Sequence, residues 1–350
     1  MIRALTLAAT AALLPISAAH AQEAPFDRLP REVLDIIPPS ARVSGEPGSM
    51  RITDLSCRSL PDTNLRRRII DVAAQEWAFF GFSVRDQTQA ESFTNSASSN
   101  YSDRRRSHLP RLSPSEARRL ADSIGGYWSA APDSGWILRR QNDSWNRSGV
   151  NSRWRDPWSA AFISWVMCES GLGDSAQFKR AIAHHSYIDQ AILARDEKDT
   201  TAAYMAYDLG DTDLAPGDIL CRGSRPAYRN ISQRRDQLGV GARTHCDIVV
   251  KVDVPNNRIM AIGGNVRGSV RMKLIPVEKL DGDSPLRPLP GSGRAYFAHL
   301  KLNADPIEDE ALDLSATISS LACRGFQSPG PLVAIVATTA SLQTCGASQD

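Results

Sequence analysis

The stretch Asp156–Met167, "DPWSAAFISWVM", predicts a buried helix that carries a hydroxyl group in its first turn. Asp156 is a favourable N-cap because its carboxylate can accept from the free N–H groups of the first turn. Pro157 is a favourable first helical residue because that position needs no backbone N–H donor. Ser159 then falls in the first turn, and the positions after it are apolar. A helix that is apolar on every side lies inside a core. The stretch therefore predicts a central helix with Ser159 at its start.

Helices are predicted on both sides of this stretch. Residues 65–82 place apolar side chains on one helical face. In residues 112–128, Ser113 is a capping residue at the start, and Gly125 and Gly126 end the helix. Residues 175–196 predict a further helix. Residues 84–112 are polar and predict a long loop.

Strands follow the helices. An alternating or β-branched pattern predicts them, and turn residues separate them. The strand segments are "LAPGDILC", "HCDIVVKVDV", "NNRIMAIGGN", "SVRMKLIPV" and "RAYFAHLKL". Helices followed by a run of strands are typical of an α+β fold and not of an α/β fold. Asp218, which ends the Pro-Gly-Asp turn, is predicted to be a structural turn residue.

The first 21 residues predict export. Arg3 precedes a short apolar run, and "AHA" at 19–21 is a small-residue cleavage pattern. An anchoring helix is the alternative, but the run is short and Pro15 interrupts it. We expect a mature protein that is periplasmic or secreted.

Four segments are expected along the chain. Residues 1–21 are the signal peptide and residues 22–60 an extended N-terminal arm. Residues 61–303 form the main domain, and residues 304–350 a C-terminal segment. The length of 350 residues permits a core of this size.

The charge balance limits the classes of partner. A formal net charge of +2 argues against a nucleic-acid partner. The basic run at 103–111 is interpreted as a solvated loop, with contact to an anionic wall polymer as the alternative. No apolar run after residue 21 is long enough to span a membrane, so stable membrane insertion is not expected. The sequence does not indicate an oligomeric state.

All six cysteines lie in the exported part, and an even number in an oxidising compartment predicts disulfides. They are Cys57, Cys168, Cys221, Cys246, Cys323 and Cys345. The sequence leaves their pairing open: Cys221 and Cys246 lie on strand-like segments that can be neighbours, and the last two can close the C-terminal tail. No CxxC pair is present, and neither a metal nor a cofactor is expected.

Three side chains form a candidate catalytic set. Ser159 begins a helix, His245 begins a strand, and Asn265 ends the next strand. Antiparallel neighbours can bring His245 and Asn265 together, and a helix across the sheet can direct Ser159 at the imidazole. This is the arrangement of a nucleophile, a base and an orienting group. The alternatives are a capping serine, a strand-end histidine and a turn asparagine.

At these positions the sequence resembles a known group of proteins. "PWSAAFISWV" resembles the W-C-A-x-F-V helix motif of the CHAP and NlpC/P60 cell-wall amidases and peptidases. "LAPGDIL", "HCDIVV" and "AIGGN" resemble their turn, histidine strand and closing Gly-Asn. The same four motifs resemble a bacterial family, domain of unknown function 2272. The resemblance covers roughly residues 65–302.

The resemblance implies a papain-like core, with N-terminal helices packed on an antiparallel sheet. It also implies an exported hydrolase that cleaves an amide bond of peptidoglycan or a wall peptide by acyl transfer through Ser159, His245 and Asn265. The CHAP and NlpC/P60 enzymes carry cysteine at the position of Ser159, and a hydroxyl is a much weaker nucleophile than a thiolate. A catalytically inactive wall-binding or scaffold module is therefore the alternative. A weaker alternative is an esterase or lipid-acting hydrolase.

Five further side chains are candidates for binding substrate. Trp154 and Trp158 are predicted to line a groove, with a core position as the alternative. His184, His185 and Tyr187 follow in "AHHSYIDQA" and are predicted to face the same groove. A surface pair of histidines is the alternative, and their spacing matches no standard zinc motif.

Overall fold

The computed structural model describes residues 26–61, 63–88, 114–150, 154–292 and 294–323. Four predictions concern residues outside these ranges: the signal peptide, the cap at Ser113, the basic run at 103–111, and the pairing of Cys345.

The α-helices of the described ranges are α1 (Leu65–Phe79), α2 (Pro114–Ser129), α3 (Gly135–Ser148), α4 (Ser159–Glu169), α5 (His185–Glu197), α6 (Ile231–Arg235) and α7 (Ala316–Cys323). In the same ranges the strands are β1 (Val43–Ser44), β2 (Arg51–Ile52), β3 (Val84–Asp86), β4 (Tyr204–Tyr207), β5 (Ile219–Arg225), β6 (Arg243–Asp253), β7 (Arg258–Val266), β8 (Ser269–Glu278), β9 (Arg287–Pro288) and β10 (Ala298–Leu302).

One large sheet organises the molecule, with the strand order β3-β8-β7-β6-β5-β10-β4 and with β9 paired to β8. The pairs along this order are antiparallel, except that β3 runs parallel to β8. Strands β1 and β2 form a separate small ribbon. The predicted α+β class with a predominantly antiparallel sheet is confirmed.

Helix α4 lies at the centre of the main core. Its residues are buried throughout, and it packs on β6 and β7 on one side and on α1 and α2 on the other. Contact with β7 is close because Gly264 has no side chain. A Cβ at Gly264 would lie 2.5 Å from Cβ of Phe162. The helix begins at Ser159, with Trp158 as its N-cap residue.

Asp156 is not the N-cap that the sequence predicts. Its carboxylate forms an ion pair with Arg140 of α3, and a hydrogen bond of 3.0 Å joins Arg140 Nε to Asp156 Oδ2. The charge of the arginine therefore competes successfully for the carboxylate that could otherwise cap the helix.

The prediction that Gly125 and Gly126 end α2 is wrong, since the helix continues to Ser129. The two glycines allow the N-terminal arm to approach the helix. A Cβ at Gly126 would lie 1.8 Å from the carbonyl oxygen of Pro39, and one at Gly125 would lie 2.7 Å from Sδ of Met50. Close packing of backbone on helix explains these residues.

The helix predicted over 175–196 is shorter, because α5 begins only at His185. Side chains hold the preceding segment in an irregular path. Arg180 donates from Nη1 to the carbonyl oxygens of Leu172 (2.8 Å) and Gly173 (2.6 Å). Ser164 Oγ accepts from the backbone N–H of Ala181 at 3.0 Å.

The loop predicted over 84–112 begins with a strand. Residues 84–86 form β3, and Val84 pairs with Met272 of β8. A parallel edge strand of three residues has too few positions to show an alternating pattern, which explains the missed strand.

Two disulfides join distant parts of the described chain. Cys57 pairs with Cys168, which connects the N-terminal arm to the end of α4. Cys221 pairs with Cys246 across β5 and β6, at directly opposed positions of the ladder. Disulfides were predicted, and the pairing, which the sequence left open, is decided here for four cysteines. In the described ranges no helix is long and apolar enough to cross a membrane.

Asp218 is a structural residue, as the sequence predicts. Its Oδ2 accepts from the backbone N–H of Ala215 at 3.0 Å within the turn. The wholly buried carboxylate also binds Arg66 Nη1 at 2.7 Å and His299 Nε2 at 2.8 Å. These contacts join the turn to α1 and β10.

We expect Gly126→Ala to lower the free energy of unfolding by about 1–3 kcal/mol, because backbone atoms of Pro39 cannot move aside for the added Cβ. Urea denaturation measures the change. Gly135→Ala in α3 is the matched control: the added Cβ would meet only Arg139 Nη1 at 3.5 Å, so stability is expected to be unchanged or slightly higher. Equal effects of the two substitutions would contradict the packing argument.

Candidate active site

Ser159 forms a hydrogen-bonded pair with His184. Its Oγ lies 2.6 Å from His184 Nε2, at the first residue of α4. Both residues are nearly buried, with exposed fractions of 7% and 4%. The N-terminus of a helix presents unpaired backbone N–H groups and the positive end of the helix dipole. The hydroxyl therefore lies between an imidazole and a local positive potential.

The other ring nitrogen of His184 contacts Tyr187. Nδ1 forms a hydrogen bond with the phenolic hydroxyl, one turn into α5. A hydroxyl can donate or accept, so two neutral tautomers of His184 fit this geometry. If Nδ1 carries the proton, Nε2 accepts from Ser159 and can act as a base. If Tyr187 donates to Nδ1, Nε2 carries the proton and donates to Ser159.

A second histidine packs against the first. The rings of His184 and His245 lie edge to face, with centroids 5.3 Å apart. His245 Nε2 lies 3.0 Å from Asp247 Oδ1 and 3.2 Å from Lys273 Nζ. Lys273 Nζ also donates to Asp247 Oδ2 at 2.5 Å. We call His245, Asp247 and Lys273 the sheet triad.

Gly263 makes room for the sheet triad. It lies on β7, between the strand that carries Asp247 and the strand that carries Lys273. A Cβ at Gly263 would lie 1.9 Å from Asp247 Oδ1 and 3.3 Å from His245 Nε2. Lys273 can therefore reach Asp247 across β7 because this position has no side chain.

Burial and charge shift the pKa values of these groups. Burial lowers the pKa of His184 well below its usual value, and the neighbouring His245 lowers it further. Burial also lowers the pKa of His245 to about 4, against the opposing effect of Asp247. Both imidazoles are therefore neutral at pH 7, and a neutral imidazole can accept a proton.

Lys273 and Asp247 form a wholly buried ion pair. Burial lowers the pKa of Lys273 to about 8, although the carboxylate of Asp247 opposes this shift. Burial raises the pKa of Asp247, but several neighbouring groups, of which Lys273 has the largest effect, together outweigh burial and hold that pKa well below its usual range. The pair is therefore ionised at neutral pH.

The structure places the predicted catalytic residues differently from the expected arrangement. Ser159 bonds to His184, which was predicted only to bind substrate, and His245 reaches the site through the ring of His184. Asn265 lies at an irregular end of β7 with φ of 55°. In the described residues its side chain has no hydrogen-bond partner, and Asp247 rather than Asn265 holds His245.

The residues that were predicted to bind substrate do not lie together in one groove. Trp158 is 2% exposed and packs between the rings of Tyr127 and Phe80, so it presents almost no surface to a ligand. Trp154 is half-buried, and its ring lies 5.2 Å from that of Trp145.

His184 and Tyr187 are buried at the Ser159 site. His185 instead lines a separate open depression of about 570 Å³ along α5, next to Leu193 and Gly239. The two adjacent histidines of the sequence therefore belong to different surroundings.

The sequence interpretation did not place Asp247 or Lys273 in the candidate catalytic set. Asp247 could have been found, because residues i and i+2 of a strand share a face and His245 precedes it by two. Lys273 carries no such signal, since its contact crosses an intervening strand. Within the described ranges, no cluster of three or more His, Cys, Asp or Glu side chains is arranged to hold a metal ion.

Residues 116–283 match the model of a family described as an uncharacterized protein conserved in bacteria, DUF2272. The match supports the expected resemblance to this family and includes α4, His184 and the sheet triad. No curated protein and no solved structure is significantly similar to the chain.

A histidine titration tests the electrostatics of the site. We expect the ring signals of His245 to titrate with a midpoint of about 4, and those of His184 to titrate below the usual value of 6.5, because burial disfavours both imidazolium forms. NMR of histidine-labelled protein between pH 3 and 8 gives the two midpoints, and His→Gln variants assign the signals. A midpoint at or above 6.5 for either ring would contradict the burial of that ring.

Proposed function

We propose that the protein is an exported hydrolase that cleaves an amide bond by acyl transfer, with Ser159 as the nucleophile and His184 as the base. The observation that carries this proposal is the 2.6 Å contact between Ser159 Oγ and His184 Nε2 at the start of α4. A hydroxyl and a neutral imidazole at this distance are the minimum set for a serine nucleophile.

In the proposed acylation step, Ser159 Oγ attacks the carbonyl carbon and its proton moves to His184 Nε2. The C–N bond then breaks, and the amine departs with the proton from Nε2. This direction of transfer requires the tautomer in which Nδ1 donates to the hydroxyl of Tyr187. Water releases the acyl group by the same steps in reverse order.

The surroundings support the charges that develop. The carboxylate of Asp247 raises the pKa of His184, and so favours the imidazolium of the transition state, although burial and His245 act against it. The N-terminus of α4 offers N–H groups and a dipole to a tetrahedral oxyanion.

The proposed substrate is peptidoglycan or a wall peptide. The four motifs resemble those of the papain-like CHAP and NlpC/P60 amidases, and we propose the same core here with serine in place of cysteine. The predicted leader at residues 1–21 and the two disulfides of the described chain support an exported protein. In this proposal His184 takes the role of base, and His245 and Asn265 are not the direct partners of Ser159.

Tyr187 favours a second candidate function, a wall-binding module without catalysis. Its hydroxyl is buried, and within the described residues its only hydrogen-bond partner is Nδ1 of His184. If this hydroxyl donates its proton to Nδ1, the single N–H proton of the neutral His184 ring must be on Nε2. In this tautomer His184 donates to Ser159 and cannot take its proton.

The tautomer of His184 separates the two candidates directly. In the hydrolase, the proton of the neutral His184 ring must be on Nδ1. In the binding module, it is expected on Nε2. Long-range nitrogen–proton NMR spectra of the histidine ring distinguish the two forms at pH 7. His185→Gln assigns and removes the neighbouring histidine signal without altering the Ser159 site.

Digestion of isolated peptidoglycan tests the activity. We expect the mature protein to release soluble fragments, and Ser159→Ala or His184→Gln to lower that release at least a hundredfold, because each removes a reacting group. His185→Gln is the matched control and should retain the activity. Mass spectrometry of the fragments identifies the bond that is cut.

Two other outcomes are informative. If parent and variants leave peptidoglycan intact yet sediment with it, the hydrolase proposal is overturned and the binding module stands. If the parent hydrolyses small chromogenic esters but no peptidoglycan, and Ser159→Ala abolishes this, the reaction type is retained and the amide substrate is wrong.

A further inference from the structure

One face of the sheet carries several cations and a single described carboxylate close to them. Arg222 of β5 pairs directly with His245 of β6, and Arg85 of β3 pairs with Lys273 of β8. Directly paired residues of neighbouring strands share a face. On β8, Arg271 lies two residues from Lys273 and therefore shares its face as well. We call Arg85, Arg222, Arg271 and Lys273 the cationic row.

The cationic row lies on the face of the sheet that is turned away from α4. Gly264 faces α4, because a Cβ there would meet Phe162. Its neighbour Gly263 faces the other way, and a Cβ there would meet Asp247 and His245. Gly263 pairs with Arg271 on β8. The sheet triad therefore occupies the space above Gly263, between Arg222 and Arg271.

The charges of the row are close enough to affect one another. The positive charges of Arg222 and Arg85 both oppose protonation of Lys273. Burial lowers the pKa of Arg271, and Arg267 and Arg85 lower it further. The described carboxylate beside the row is Asp247, which binds Lys273 and His245. Within the described ranges, this carboxylate is bound to Lys273 and His245 and forms no ion pair with Arg222 or Arg271.

Two members of the row lack a protein partner. Among the described residues, neither Arg222 nor Arg271 has a side-chain hydrogen bond or an ion pair. The Nε atoms of both are buried and unpaired. A buried donor without an acceptor destabilises the fold by about 1–3 kcal/mol, and more when it is charged. Repulsion within the row adds to this cost, so the fold alone does not explain these two arginines.

We propose that Arg222 and Arg271 bind the carboxylates of an acidic peptide that lies over the exposed edge of the sheet triad. The two arginines lie three strand spacings apart and two residues out of line, which separates their backbones by about 16 Å. Their long side chains can narrow this separation. A planar guanidinium matches a carboxylate with two parallel hydrogen bonds. The ligand lies along His245, the most exposed member of the sheet triad, whose side chain is 16% exposed. This site does not require that Ser159 be catalytic.

The binding test uses the full mature protein and a matched pair of peptides, triglutamate and triglutamine, which differ only in charge. We expect triglutamate to bind in calorimetry and to raise the melting temperature, and triglutamine to do neither. Arg222→Gln and Arg271→Gln should each weaken triglutamate binding at least tenfold. Arg229→Gln, an exposed arginine outside the row, is the control and should bind as the parent does.

Stability provides a second, independent readout. Without peptide, Arg222→Gln and Arg271→Gln are expected to raise the melting temperature, because each removes a cation from the row. A purely structural arginine would instead lower it when replaced. Higher stability together with lost binding therefore supports the proposal, and it also excludes misfolding as the cause of the loss.

Several results would overturn the proposal: no binding of triglutamate by the parent, unchanged binding by both variants, or equal responses to triglutamate and inorganic phosphate. The last would show a general anion site and not a peptide site. Peptide binding without release of peptidoglycan fragments would overturn the proposed hydrolase and leave the acidic-peptide site in place, so the two failures are distinguishable.

Discussion

The packing of α4 against β7 is the constraint on which the rest of the structure depends. The helix approaches the strand closely because Gly264 offers no side chain to Phe162. That approach fixes the N-terminus of α4, and with it Ser159, relative to the sheet. The disulfide between Cys57 and Cys168 ties the other end of the helix to the N-terminal arm. Ser159 therefore lies on a helix that is held at both ends.

Two adjacent glycines give β7 different roles on its two faces. Gly264 admits α4 on one face, and Gly263 admits the Asp247–Lys273 ion pair on the other. Burying two charges is costly even when they pair, so hydrophobic packing does not account for this arrangement. The pair fixes the ring of His245, which in turn packs against His184. Gly263 and Gly264 therefore connect the main core to the Ser159 site and to the cationic row.

The general fold was predictable from local patterns, and the details that failed depend on tertiary contacts. Alternation predicted β6, β7 and β8, and the apolar run predicted α4. Gly126 was interpreted as a helix end because its close contact with Pro39 involves a residue far away in the chain. The predicted start of α5 was wrong for the same reason, since hydrogen bonds from the side chain of Arg180 set the path of the chain before the helix.

The sequence by itself determined the α+β class, a buried helix that begins near Ser159, and disulfide formation, because periodicity, helix-start chemistry and an even cysteine count are local or compositional properties. Only the tertiary structure decided which imidazole meets Ser159. The sequence pointed to His245 as the partner and to His184 only as a binding residue, but the irregular path before α5 brings His184 to the hydroxyl. Asp247 meets Lys273 across a strand, and Arg222 and Arg271 share their face of the sheet. Both arrangements depend on strand order and register, which are long-range properties that no short stretch of sequence encodes.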